Sequence, residues 1–124
     1  MWIMLSDAFL SIVAAEYPDE LLVRARAKGD IERVFPRAKV VYTPCGDYHY
    51  RANISKHWVA STIADTIMEI DYPNFKNSVV EEDRHHAYLG CWAEMVRFQE
   101  GRAPRKKFHQ RKAKKLQKPL IKGA

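Results

Sequence analysis

Apolar residues fall in short runs and alternating stretches over the first half of the chain and recur at helical spacing over the second. Trp2-Ile3-Met4-Leu5 and Ala8-Phe9-Leu10-Ser11-Ile12-Val13 are too apolar and too rich in Ile, Val and Phe for an exposed helix. They predict buried strand, broken in two at Ser6-Asp7. Tyr17-Pro18-Asp19 places proline where a turn favours it. A strand over 20–27 follows, with Leu21, Val23 and Ala25 on one face and Leu22, Arg24 and Arg26 on the other.

Gly29-Asp30 opens a short helix, with Asp30 as its expected N-cap and Ile31, Val34 and Phe35 as its buried stripe. Pro36 ends it. Residues 39–43 and 48–54 predict a hairpin closed by Pro44-Cys45-Gly46-Asp47. Its second strand is expected to put Tyr48 and Tyr50 on one face and His49 and Arg51 on the other. Two longer helices come next. Ser55 can cap the first, whose stripe is Val59, Ile63, Ile67 and Ile70. The second is expected to start from Ser78-Val79-Val80-Glu81 read as a capping box, and to run past Tyr88, Cys91, Trp92, Met95 and Phe98 until Gly101 closes it. Tyr72 and Phe75, in the loop between these helices, are expected to anchor it against the core. The order ββαββαα predicts an α+β domain over 1–101, an antiparallel sheet of four to five strands with helices on one face, followed by a basic tail over 102–124.

Charge changes the picture at residue 102. The 124-residue chain carries a formal +6, with 47% hydrophobic and 29% charged residues, as an ordinary globular protein does. Residues 102–124 contain ten Lys or Arg and no Asp or Glu. Eleven of the 21 basic groups and all 15 acidic groups therefore fall in 1–101, whose formal charge is −4. A cationic arm on an anionic body points to a polyanion as the arm's partner. Its candidate nucleic-acid contacts are Arg102, Arg105, Lys106, Lys107, Arg111, Lys112, Lys114 and Lys115, with Phe108 as a stacking group.

Other candidate chemistry is sparse. Cys45 and Cys91 have no CxxC spacing, which predicts reduced thiols and a cytoplasmic protein. No apolar run reaches the ~18 residues of a membrane span, and no basic segment precedes the apolar N-terminus as in a secretory signal. Asp83-Arg84-His85-His86 offers histidines beside acidic groups, the raw material of a general base. Adjacent helical positions point about 100° apart, however, which favours His85 hydrogen-bonded at the edge of the core. Metal-ligand spacings, phosphate-binding glycine loops and nucleophile elbows are absent, so neither metal nor cofactor is expected. Arg24 and Arg26, joined by Arg51 across the sheet, form either a phosphate-binding surface or ion pairs with the body's own carboxylates.

Asp7-Ala8-Phe9-Leu10-Ser11-Ile12-Val13, Arg24-Ala25-Arg26, Gly29-Asp30-Ile31-Glu32-Arg33-Val34-Phe35-Pro36, Asp71-Tyr72-Pro73-Asn74-Phe75-Lys76, and Arg84-His85 with Ala87-Tyr88 together resemble a group of short uncharacterised bacterial and phage proteins. The resemblance covers about residues 1–99 and implies a mobile-element or host-defence setting, with no activity to carry over. Two functions follow as expectations. The first is a non-enzymatic module that contacts RNA or DNA, or a ribonucleoprotein, through its basic tail. The second is a small anti-CRISPR-like inhibitor or adaptor that binds a protein surface through its acidic body. A nuclease or phosphotransferase using His85 or His86 with Arg24 or Arg26 is a third reading.

Overall fold

The computed structural model describes residues 1–104. Five strands, β1 (Trp2–Met4), β2 (Phe9–Ala14), β3 (Glu20–Ala25), β4 (Val41–Tyr42) and β5 (Tyr50–Ser55), form one sheet in the order β1-β2-β3-β5-β4. Every neighbouring pair is antiparallel. Helix α1 (Asp30–Val34) connects β3 to β4, and α2 (Lys56–Met68), α3 (Phe75–Ser78) and α4 (Glu82–Arg102) follow β5. The protein is thus an α+β fold, an antiparallel sheet with helices packed on it. Two compact units divide the chain, the first Met1–Ala87 and the second beginning at Tyr88.

Strand alternation builds the core of the first unit. Leu10, Ile12, Val23, Ala25, Ala52 and Ile54 share one face of the sheet and are buried there with Ile31 and Phe35 of the α1 segment and Val59 of α2. Helices α1 and α2 pack on this face because it is the apolar one. The breaks fall where the turn residues demand them. The Leu5 amide donates to the Ala8 carbonyl (2.8 Å) between β1 and β2, and the Glu20 amide to the Tyr17 carbonyl (3.2 Å) before β3. Ser55 caps α2 as expected, its Oγ accepting from the Trp58 amide at 3.1 Å. Tyr72 and Phe75 are both half-buried and pack ring against ring at 5.8 Å.

Several expectations are corrected. Asp30 does not cap α1: Gly29 takes the N-cap position with φ 91°, and no side chain caps the helix. The carboxylate of Asp30 is drawn instead to more distant partners, described below. Ser78 and Glu81 form no capping box. Asn74 starts a separate turn of helix by accepting from the Asn77 amide (3.2 Å), and Ser78 closes it, its Oγ bonding to the Phe75 carbonyl and the Ser6 hydroxyl. The long helix therefore begins four residues after Ser78, at Glu82, and runs through Gly101 to Arg102. Strand 39–43 shrinks to Val41–Tyr42: residues 39–40 precede the pairing with β5, and the chain turns after Thr43, whose amide donates to the His49 carbonyl. On the stripe predicted for α2, Val59 is buried but Ile67 is exposed, and Ile70, also exposed, lies beyond the helix, which ends at Met68.

Candidate functional site

Of the arm residues named from the sequence, Arg102 is the one the structure describes. It ends α4, and its guanidinium lies over the Phe98 ring, 4.6 Å from the centroid. It has no carboxylate partner among the described residues. Arg105, Lys106, Lys107, Phe108, Arg111, Lys112, Lys114 and Lys115 lie outside the described residues. Around Arg102, the second unit presents Trp92, Met95 and Phe98, each more than half exposed. The apolar stripe expected to be core is buried only at Tyr88 within this helix.

The arginines of the sheet come together. Arg24 and Arg51 are direct cross-strand partners between β3 and β5, on the face opposite the core. Arg26 extends the same side just beyond β3. Tyr48 folds under them from the β4–β5 turn: Cζ of Arg24 lies 4.5 Å and Cζ of Arg26 4.1 Å from its ring centroid. The tyrosine is buried, yet it belongs to this arginine cluster rather than to the hydrophobic core. Tyr50 packs against the core instead, so the two tyrosines do not share a face as the alternation predicts. Strand pairing with β3 starts only at Tyr50, and Tyr48 precedes the region where alternation holds.

The hydrogen bonding of this cluster is uneven. Arg24 donates to Ser11 Oγ (2.8 Å), a neutral partner, while its Nε is buried without one. Arg26 donates to the Asp47 carbonyl at 2.9 Å. Arg51 alone meets a carboxylate, Asp47, at 3.0 Å. Asp47 also accepts from the Tyr48 amide, which fixes the turn. Neither Arg24 nor Arg26 has an ion pair among the described residues. Sequence spacing identified the three arginines. Tyr48 and Asp47 were missed as members of the cluster because only the return of the chain through the β4–β5 turn brings them there, and Ser11 because it enters as the β2 partner of Arg24.

Arg33 and Arg84 are used differently. Arg84 grips the buried Asp30 carboxylate with both terminal nitrogens (2.7 and 2.9 Å), and Arg33 adds a third contact at 2.9 Å. Glu81 accepts from Arg84 Nε at 3.2 Å, and the Phe9 amide donates to Asp30 at 3.0 Å. This network ties the start of β2, α1 and the first turn of α4 together, and its cations are balanced within the molecule.

The histidine reading finds no assembled site. The His85 amide bonds to the Glu81 carbonyl, but neither the His85 nor the His86 imidazole has a hydrogen-bond partner among the described residues. Among those residues no cluster of His, Cys, Asp and Glu could hold a metal ion. Cys45 and Cys91 are free and exposed. Among the described residues no helix is long and apolar enough to cross a membrane. No family model, curated protein or solved structure matches the chain.

Proposed function

We propose that the protein is a non-enzymatic, cytoplasmic module that binds RNA or DNA, alone or within a ribonucleoprotein, through its basic arm at residues 102–124. The observation that carries this reading is the segregation of charge: ten cations and no carboxylate in the last 23 residues. The body has acceptors for several of its own arginines, with Arg33, Arg51, Arg84 and Arg97 each meeting a carboxylate. An arm without internal counter-charge repels itself, and phosphates relieve that repulsion by taking the place of condensed counterions. Such contacts position a strand without reading its sequence.

Removing residues 102–124 tests the proposal. Nucleic-acid binding is expected to fall to a small residue, while the thermal transition of the body stays almost unchanged. Full affinity in the truncated chain overturns it. A pull-down from lysate with and without nuclease separates this reading from the protein-surface inhibitor. Partners that vanish on nuclease treatment support the arm. Partners that persist assign the activity to the acidic body, in the mobile-element setting that the sequence resemblance implies.

A further inference from the structure

We propose that the outer face of the sheet carries a second anion site, at which Arg24 and Arg26, over the Tyr48 ring, and Arg51, whose Nε donates to the Tyr48 carbonyl at 3.3 Å, take one phosphoryl group. Like charges directly opposite on neighbouring strands repel, and Arg24 and Arg51 are such a pair. A third guanidinium, Arg26, touches the same ring as Arg24. The ring face stabilises them only weakly, by cation–π attraction. Ser11 and the Asp47 and Tyr48 carbonyls offer neutral oxygens, and the one carboxylate paired with these arginines among the described residues, Asp47, is itself 68% exposed. Three cations thus face one well-hydrated anion.

The donor chemistry suits a tetrahedral oxyanion. A guanidinium stacked on an aromatic ring engages it with its flat face, leaving the N–H edge for bidentate bonds in its own plane. Arg26 is exposed, and Arg51 is 30% exposed, so both edges are within reach of a ligand. Arg24 stands partly out of water, with its Nε buried and unbonded, which leaves its charge poorly compensated. Asp47 occupies the ground an incoming phosphate would take beside Arg51, and an exposed pair of this kind is weak enough to be displaced. Where the phosphoryl group belongs to a nucleic-acid backbone, the proposal rests on the arm reading above. Where it belongs to a small phosphate ester, it does not.

The test uses the full chain at an ionic strength of about 0.15 M, with sodium pyrophosphate and then a short single-stranded oligonucleotide as probes, read from the arginine Nε–Hε resonances. Pyrophosphate is expected to shift Arg24, Arg26 and Arg51 and to leave Arg33 and Arg84, already bound to Asp30, in place. Arg26→Gln is expected to weaken pyrophosphate binding about tenfold, the loss of a charge-assisted hydrogen bond. Lys39→Gln, the same change in net charge, should alter it by less than about twofold. Asp47→Asn keeps the oxygen that accepts from the Tyr48 amide and removes the competing charge, so affinity should rise. Arg26 lies outside the strand ladder, and an unchanged backbone spectrum certifies the fold of its variant.

Equal shifts at all arginines, or equal losses in Arg26→Gln and Lys39→Gln, overturn the site. Displacement of pyrophosphate by the oligonucleotide, with the salt slope of Arg26→Gln reduced by about 0.7, identifies a nucleic-acid phosphate as the ligand. Pyrophosphate binding without oligonucleotide binding supports the site for a small phosphate ester and defeats the arm reading alone. Oligonucleotide binding that leaves these three arginines unmoved does the reverse.

Discussion

Asp30 is 1% exposed, and its carboxylate accepts four hydrogen bonds, from the Phe9 amide, Arg33 and both terminal nitrogens of Arg84. Taking a carboxylate out of water is costly, and only partners this close repay it. Arg84→Met should therefore cost about 3 kcal/mol, because it takes away two of the four bonds and leaves the buried carboxylate only the half-exposed Arg33 and the Phe9 amide. A double variant, Asp30→Leu with Arg84→Met, should cost less than its single changes summed, since it removes both charges together. Denaturant midpoints measure both, and a loss under about 1 kcal/mol for Arg84→Met would refute the buried role. Gly29→Ala probes the neighbouring position. At φ 91° a side chain is strained although its nearest contact lies at 3.9 Å, so about 1–2 kcal/mol should be lost to backbone conformation rather than to crowding. Locally, Gly29-Asp30 reads as a helix start, and that much is correct. That the carboxylate serves Arg84, 54 positions away, lies in the folded chain and in no neighbouring residue.

Helical spacing identifies which face of a helix is apolar without saying what covers it. In α1 the stripe ending in Ile31 and Phe35 meets the sheet, both residues are fully buried, and Phe35 packs edge-on to Trp58 at 5.6 Å. Phe35→Ala should cost about 3–5 kcal/mol by emptying the core at that point. In α4 the same kind of pattern predicts burial for Met95 and Phe98, yet they are 62% and 53% exposed. Met95→Gln should then change stability by no more than about 0.5 kcal/mol in thermal unfolding, an outcome opposite to the one its periodicity predicts. A loss above 2 kcal/mol would mean that Met95 is covered in solution. The strands were more legible than the helix ends, because a mainly apolar run over 9–14 and period-two alternation over 20–25 each mark a strand without help from distant residues. Ser78 and Glu81 satisfy a capping pattern, but Asn74 starts α3 four residues earlier and the Ser78 hydroxyl is engaged at its end, by the Phe75 carbonyl. The arginine cluster was half legible for a similar reason. Spacing by two puts Arg24 and Arg26 on one side, whereas Tyr48 reaches them from a turn that no periodicity describes.

Charge is the property that only the entire chain displays. The sheet-and-helix unit resolves much of its own electrostatics: Asp30 and Glu81 serve Arg33 and Arg84, and Asp47 serves Arg51. No acidic residue is available within 102–124 to do the same for the arm. Binding through it should therefore be governed by counterion release rather than by shape, and salt is the measurement that tells these apart. With about six phosphates contacted on duplex, the logarithm of the affinity should fall against the logarithm of salt with a slope near −5, about a thousandfold between 50 and 200 mM. The slope should also be indifferent to sequence, since a lysine meeting a phosphate reads no base. Deleting 102–124 should leave at most the small slope of the sheet arginines, about −0.9 for each duplex phosphate they contact. A full-length slope near zero with affinity intact would place the binding energy in the anionic body. It would then have to come from apolar or hydrogen-bonded contact with a protein surface, for which the exposed Trp92, Met95 and Phe98 would be the first side chains to replace.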